Sequence, residues 1–231
     1  MVIRDWSSDV CSSDLKYTGN DRHNPKTIDY RSGESENKFR FEHHRYAANG
    51  FKLQVGAGIE YAHYDNTTAR RLFAAGEAID QYYSRALNMW KWAVFGQVSR
   101  SFFSERLALS LGLRADGCNY TGKTAALYRQ ISPRFSFSYA FDERWSLNGN
   151  IGRYYQLPAY TTLGFADAGG VLVNKRNKTG YIGADHYVLG VEYRPGTTTR
   201  ITLEGFYKTY DHYPVSLTDS VALANKGTDY V

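Results

Sequence analysis

The sequence predicts an all-β fold: an antiparallel up-and-down meander of about eight strands, forming a fragment of a large transmembrane β-barrel. Three observations lead to this prediction. Apolar and polar residues alternate along successive segments, the connections between segments are alternately short and long, and aromatic residues concentrate at both ends of the segments. All three patterns are typical of barrels whose strands cross a bilayer with one face toward lipid and the other toward the lumen.

The alternation is clearest between residues 107 and 116, where Leu107, Leu109, Leu111 and Leu113 share one face and small or charged residues share the other. Because successive side chains of a strand point to opposite faces, this period of two indicates a strand with one apolar side. Phe206 departs from the pattern, since it lies on the polar face of its segment. The same criterion predicts strands at 38–45, 51–65, 90–103, 107–118, 131–141, 145–156, 185–194 and 199–210.

The connections between the predicted strands alternate in length. Short turns are expected at 46–50, 104–106, 142–144 and 195–198, and long connections at 66–89, 119–130, 157–184 and 211–229. Outer-membrane barrels have short periplasmic turns and long extracellular loops, so the long connections are expected to meet at one end of the strands. The Ala-rich stretch 69–88 could hold a short helix, and 119–130 and 167–185 are predicted to be mobile loops.

Aromatic residues mark both ends of the predicted strands, whereas Leu, Val and Ile occupy the middle. Aromatic girdles of this kind lie where a barrel meets the two membrane–water interfaces. The band beside the short turns contains Phe102, Phe103, Phe141, Trp145 and Tyr193, and the opposite band contains Tyr61, Tyr64, Trp90, Trp92, Tyr154, Tyr155, Tyr207 and Tyr210.

Composition limits the other classes of function. The net charge is +5, but lysine and arginine are spread through the chain without a dense cluster, so no nucleic-acid partner is expected. Mean hydropathy is −0.51, and no apolar run approaches the roughly 18 residues that suggest a transmembrane helix. The membrane prediction therefore rests on strands, whose alternating faces cancel in an average of this kind.

The first residues are expected not to belong to the native protein. Residues 5–15 (DWSSDVCSSDL) resemble the translation of a common sequencing adapter, and the alternative is a polar native tail. The predicted division is therefore a non-native segment at 1–15 and a partial outer-membrane barrel domain at 16–231. Setting Cys11 aside leaves Cys118 as a lone cysteine, which cannot form an internal disulfide.

The sequence contains no motif that indicates an enzyme. It lacks a Gly-x-Ser-x-Gly elbow, a Walker loop and an H-E-x-x-H motif. His43 and His44 are adjacent, so on a strand they point to opposite faces and cannot bind one metal together. His63 and His186 are isolated at predicted strand ends, where hydrogen bonding is expected. We therefore predict no catalytic residue, metal or cofactor, and the sequence leaves the ligand-binding residues undefined.

Charged residues on the polar strand faces are predicted to line the lumen. They could form a polar lining that meets a plug or a substrate, or they could be paired charges that fill a wet interior. The second interpretation is favoured. The residues concerned are Arg114, Asp116, Arg134, Glu192 and Glu204.

Three segments resemble the TonB-dependent receptor family. Residues 94–97 (VFGQ) with 103–116 (FSERLALSLGLRAD) are similar to one strand pair of that family. Residues 132–135 (SPRF) with 152–158 (GRYYQLP) are similar to a second, and 187–193 (YVLGVEY) with 204–208 (EGFYK) to a third. Each motif is degenerate alone, but the three occur in the family's order on alternating strands and cover about residues 90–210.

The resemblance implies a bacterial outer-membrane transporter of about 22 strands whose lumen is plugged by an N-terminal domain. Such receptors take up a scarce nutrient, often a metal chelate, a vitamin or a glycan, with energy passed on through TonB. The implied partners are outer-membrane lipid, the TonB complex and a small nutrient ligand. The plug, the TonB-contacting box and the C-terminal strands are expected to lie outside this chain, so we do not expect the piece to function alone.

Three other functions remain open from the sequence. A passive porin fits the strand pattern nearly as well and would lack a plug. A barrel enzyme would need a converging set of catalytic residues, and none is visible in the sequence. A soluble β-sandwich that binds carbohydrate is disfavoured by the alternating connections and the aromatic girdles.

Overall fold

A computed structural model describes residues 2–13, 28–74, 77–167, 169–216 and 220–226. They form one nine-stranded sheet in which each strand pairs antiparallel with the next along the chain, and this confirms the predicted meander. The strands are β1 (Val2–Ser13), β2 (Ile28–Tyr46), β3 (Lys52–Ala74), β4 (Glu77–Phe102), β5 (Leu107–Cys118), β6 (Ile131–Ala140), β7 (Trp145–Gln156), β8 (Ile182–Tyr193) and β9 (Ile201–Asp211).

The helices are single turns in the connections. They are α1 (Gly122–Ala125), α2 (Tyr160–Leu163), α3 (Val173–Arg176) and α4 (Leu223–Lys226), and a 3₁₀ turn spans Leu127–Arg129. Within the described ranges, no helix has both the length and the apolar character needed to cross a membrane.

The central strands begin and end close to their predicted bounds, but β2, β3 and β4 are much longer than predicted. The predicted long connection at 66–89, with its possible helix at 69–88, is wrong. Strands β3 and β4 stay paired through this region, up to the pair Ala74 and Glu77. The register between the two strands continues unchanged through polar pairs such as Thr67 and Ser84. Because apolar and polar residues do not alternate in this part, the sequence does not reveal the strands.

One strand was not predicted. It is β1, which lies within residues 1–15, the segment that was expected not to belong to the native protein. It pairs with β2 from Val2 opposite Glu42 to Ser13 opposite Ser32, with a shift of register between Arg4 and Ser7. An extended segment can add to any sheet edge that has free backbone groups, whatever its origin. The division of the chain at residue 15 therefore stays a prediction.

The connections separate into two ends of the sheet. Residues 47–51, 103–106, 141–144 and 194–200 make the turns at one end, and 119–130 and 157–181 make loops at the other. In the turn after β6, one carboxylate oxygen of Asp142 accepts hydrogen bonds from the backbone N–H groups of Arg144 (2.7 Å) and Trp145 (2.8 Å). Local side-chain acceptors of this kind fix tight turns. The end with the short turns is the periplasmic end in outer-membrane barrels.

The outer face of the sheet is apolar and exposed. Two aromatic pairs lie at different levels of the sheet. The rings of Trp145 and Tyr193 stack beside the short turns with centroids 4.3 Å apart, and those of Tyr61 and Trp90, 4.9 Å apart, lie midway along β3 and β4 at the level where β5 ends. Between them, the exposed side chains are mainly aliphatic or phenylalanine, including Phe39, Val55, Ile59, Val94, Leu111, Leu113, Phe135, Ile151 and Leu189.

The buried core lies between the inner face of the sheet and the two long loops. Tyr64, Leu87 and Met89 contribute from the extended part of the β3–β4 hairpin. They pack with Cys118, Tyr120, Leu163 and Tyr181, which come from the end of β5 and from the loops. The loops are therefore packed against the sheet by a small hydrophobic core of their own.

Candidate functional site

A cavity of about 550 Å³ lies on the inner face of the sheet, below the two long loops. Strands β2 to β5 form its wall, and residues 156–160 with Tyr181 close it from the loop side. Most of the large side chains lining the cavity are charged or aromatic, and they include Glu34, Lys38, Arg40, Glu60, Lys91, Phe95, Arg114, Asp116, Tyr160 and Tyr181.

The loop side of the cavity is held in place by contacts between the loops. The hydroxyl of Tyr120 donates a hydrogen bond of 2.7 Å to the backbone carbonyl of Leu163, so residues 119–130 and 157–181 are tied together. Thr121 and Thr124 form a reciprocal capping box at the start of α1. The loops that were predicted to be mobile are packed against the sheet, because Tyr120, Leu163 and Tyr181 are buried.

The charged groups in and beside the cavity are arranged around one lysine. The ammonium group of Lys91 lies 2.9 Å from a carboxylate oxygen of Glu36, forms an ion pair with Glu60, and donates a hydrogen bond of 2.6 Å to the hydroxyl of Tyr160. That hydroxyl in turn donates to Glu36, which also pairs with Lys38. Since Tyr160 belongs to α2, this network joins the loop to strands β2, β3 and β4.

Two phenols from the loop side remain neutral. Burial, and secondarily the hydrogen bond to Glu36, raises the pKa of Tyr160 well above its usual range. Burial likewise raises the pKa of Tyr181, with a further contribution from the neighbouring Cys118. Both side chains therefore stay protonated at physiological pH and can donate hydrogen bonds.

Three of the charged residues that were predicted to line the lumen form ion pairs, as the favoured interpretation expected. The guanidinium of Arg114 donates three hydrogen bonds of 2.7–3.0 Å to the carboxylate of Asp116. The carboxylate of Glu192, which is 5% exposed, lies between Arg194 (2.5 Å) and Arg200 (2.6 Å). Those predictions are confirmed.

Arg134 does not follow that prediction. Its guanidinium lies over the ring of Tyr154, 4.4 Å from the ring centroid, and among the described residues it has no carboxylate partner. Its Nε atom is buried without a hydrogen-bond acceptor. The sequence could not reveal this arrangement, because the two residues lie on different strands and meet only through the register of β6 and β7.

Two of the described histidines have polar or aromatic neighbours. His63 is hydrogen-bonded as expected, with 2.6 Å between its Nδ1 atom and Asn88. His186 lies within β8 rather than at a strand end, and its ring is 4.6 Å from that of Tyr154. Across the residues that the structure describes, no group of three His, Cys, Asp or Glu side chains is placed to hold a metal ion.

Solved structures that resemble this chain are outer-membrane transporters and receptors. The copper transporter OprC superposes with a TM-score of 0.56 at 16% identity, covering 79% of this chain and 31% of that one. The outer-membrane transporter YddB from Escherichia coli has a TM-score of 0.50 at 19% identity, covering 78% and 26%. A mutant of the ferric enterobactin receptor PfeA from Pseudomonas aeruginosa has a TM-score of 0.51 at 17% identity, covering 79% and 27%.

These likenesses show the fold, and the chain spans about a quarter to a third of the length of those proteins. No curated protein matches the chain in sequence. The sequence profile of the TonB dependent receptor-like beta-barrel matches residues 4–230. Proteins of this family are receptors and transporters of the bacterial outer membrane rather than enzymes. The chain therefore belongs to the TonB-dependent receptor family and represents part of its β-barrel.

Proposed function

We propose that the chain forms one wall of an outer-membrane receptor that takes up a scarce nutrient, such as a metal chelate, a vitamin or a glycan, with energy supplied through TonB. The observation that supports this most directly is the polar and aromatic cavity on the inner face, closed from the loop side by packed loops. A small ligand arriving from outside would meet this cavity beneath the loops. Two similar structures are a copper transporter and a mutant ferric enterobactin receptor, and this supports a metal chelate as one candidate cargo.

The two faces of the sheet have different partners in this proposal. The exposed apolar outer face, with one aromatic pair beside the short turns and another at the level where β5 ends, would contact the lipid of the outer membrane. The polar inner face would contact the ligand and an N-terminal plug domain. The plug would in turn carry the contact with the TonB complex.

The cavity suits a ligand that both donates and accepts hydrogen bonds. Lys38, Arg40 and Lys91 line it together with Glu34 and Glu60, so neither sign of charge dominates. The neutral phenol of Tyr160 lies at the junction of this network and the loop. Replacing this phenol by Phe would remove the link without a large change of volume.

A passive porin remains the second candidate, because its inner wall would also be polar. The single sheet and the family match disfavour the soluble β-sandwich and the barrel enzyme. Packed loops above the cavity favour a receptor over an open pore, because they narrow the entrance and provide contact surface.

Transport that depends on TonB separates the receptor from the porin. The full-length gene would be expressed in a host strain lacking its own receptors, with and without TonB, and supplied with labelled ferric chelates, cobalamin and oligosaccharides. The proposal expects uptake of at least one of these solutes that is lost without TonB. Uptake of small solutes that is the same in both strains would establish the porin instead.

The role of the cavity has its own control in the same assay. Tyr160→Phe is expected to lower uptake, because it breaks the network between α2 and the wall. Tyr128→Phe removes the same hydroxyl from a loop side chain that is 71% exposed and lies away from the cavity, and is expected to leave uptake unchanged. Equal uptake by both variants would remove the cavity from the proposal.

A further inference from the structure

A basic and aromatic patch lies on the inner face of the sheet, outside the cavity described above. The register places Arg134 opposite Gly152, Gly152 opposite His186, and His186 opposite Lys208, so that these residues form one row across β6 to β9. Tyr154 lies beside the row, between the guanidinium of Arg134 (4.4 Å) and the ring of His186 (4.6 Å).

The glycine in this row makes the stack possible. A Cβ added at Gly152 would lie 3.1 Å from a ring carbon of Tyr154 and 3.3 Å from Cγ of Arg134. A larger residue here would require the side chains of Tyr154 and Arg134 to shift by a few tenths of an ångström. The phenol ring of Tyr154 and the aliphatic part of Arg134 therefore lie beside a position that has no side chain of its own.

The positive charge of the patch is not neutralised by the sheet. The next row toward the short turns contains Ser136, Asn150, Val188 and Phe206, all uncharged. The nearest acidic residue on this face of β9 is Glu204, four residues from Lys208 and about 13 Å along the strand. Asp116 is already paired with Arg114, and Asp185 lies on the outer face with Arg153. Two neighbouring polar atoms, Nε of Arg134 and Oγ of Ser132, are buried without a partner.

We infer that this patch, defined by Arg134, Tyr154, His186 and Lys208, is a binding site for carboxylate groups. A guanidinium backed by an aromatic ring presents its N–H groups outward and binds carboxylates in a fixed geometry. The row crosses three strand spacings, about 15 Å, so it fits a partner that carries more than one carboxylate rather than a single small anion. The carboxylates could come from acidic side chains of the domain that fills the lumen or from a soluble polycarboxylate that passes through it.

This inference rests on the proposed function in one respect, because it requires that something enters the lumen. The inference is tested on the full-length receptor purified in detergent, with a zero-length carbodiimide cross-linker. This reagent joins an amine to a carboxylate only when the two groups are in contact. With no ligand added, peptide mapping is expected to find Lys208 linked to an Asp or Glu of the lumenal domain. The variant Lys208→Arg keeps the charge and should lose the link.

A soluble polycarboxylate is tested in the same preparation with tricarballylate as the probe. If a soluble polycarboxylate is the natural partner, tricarballylate is expected to raise the unfolding temperature of the native receptor but not that of the variant Arg134→Gln. The control variant Arg144→Gln changes an exposed residue in a turn and should keep the increase. Arg134→Lys should restore only part of the shift. A receptor that shows neither the Lys208 link nor this difference overturns the inference. Uptake that proves independent of TonB would reject the proposed function but would leave the tricarballylate result as it is.

Discussion

The hydroxyl of Tyr120 and the carbonyl oxygen of Leu163 lie 2.7 Å apart and join the two long loops over the inner face of the sheet. Both residues are almost fully buried. Neither loop contains a helix longer than one turn, so this bond and the surrounding side chains supply the order that regular structure does not. Residues 157–160, from the second of these loops, line the cavity.

Tyr120→Phe is therefore expected to loosen both loops while leaving the strands intact. The change leaves the carbonyl of Leu163 buried without its donor, which costs about 1–3 kcal/mol. Hydrogen exchange of the full-length receptor should become faster in 119–130 and 157–181 but not in β5 or β7. Tyr128→Phe, at an exposed position, serves as the control. Unchanged exchange in both loops would show that the hydrogen bond is not what holds them.

Gly149→Ala is expected to destabilise the sheet because the ring of Phe137 covers this glycine from the neighbouring strand. A Cβ at position 149 would collide with the ring, so Phe137 would have to leave its rotamer. Overpacking of this kind costs about 1–3 kcal/mol. The matched control is Gly96→Ala, whose nearest contact would be Cγ1 of Val55 at 3.8 Å. The temperature at which the barrel loses its resistance to denaturing detergent should fall for the first variant and stay constant for the second.

The turn after β6 is expected to weaken in acid. The backbone N–H groups of Arg144 and Trp145 lower the pKa of Asp142 below its usual range. The carboxylate therefore stabilises the turn fully at neutral pH, and this contribution is lost as the pH falls through the lowered pKa. Asp142→Ala should lower the unfolding temperature at pH 7, and the difference from the native protein should shrink toward pH 3. A difference that is constant with pH would rule out the charge as the cause.

The segment 28–226 is expected not to fold as an independent barrel. Its last strand, β9, exposes Leu203 (77%) and Tyr207 (65%), and its outer backbone groups have no further strand to pair with among the described residues. Unpaired backbone groups are very unfavourable in lipid. Expressed alone, the segment should aggregate or be degraded, whereas the full-length receptor should give the compact band of a folded barrel on a gel run without heating. A compact band from the segment alone would contradict this expectation.

The sequence predicts a strand well wherever the two faces of that strand meet different surroundings. Strands β5 and β7 begin and end at the predicted residues, because Leu107 and Trp145 start runs in which apolar and polar residues alternate. In the extended part of the β3–β4 hairpin both faces are polar or mixed, so the alternation disappears although the pairing continues. Periodicity reports the environment of a strand rather than its hydrogen bonds.

Only part of the candidate site could be predicted from the sequence. The pairing of Arg114 with Asp116 follows from their spacing of two on one face of a strand. The contacts of Tyr160 with Glu36 and Lys91 bring together residues far apart in the chain, and only the folding of a loop onto the sheet creates them. Aromatic residues within Gly- and Thr-rich loops were the one available signal that these loops are packed.

The extended β3–β4 hairpin has a consequence for what can approach the receptor. From the pair Tyr61 and Trp90 to the pair Ala74 and Glu77, the ribbon continues for about 40 Å at the usual rise of a strand. Its base is anchored by buried side chains, including Tyr64 and Leu87. A ribbon of this length is expected to obstruct a large macromolecule that approaches along this side of the sheet more than it obstructs a small solute.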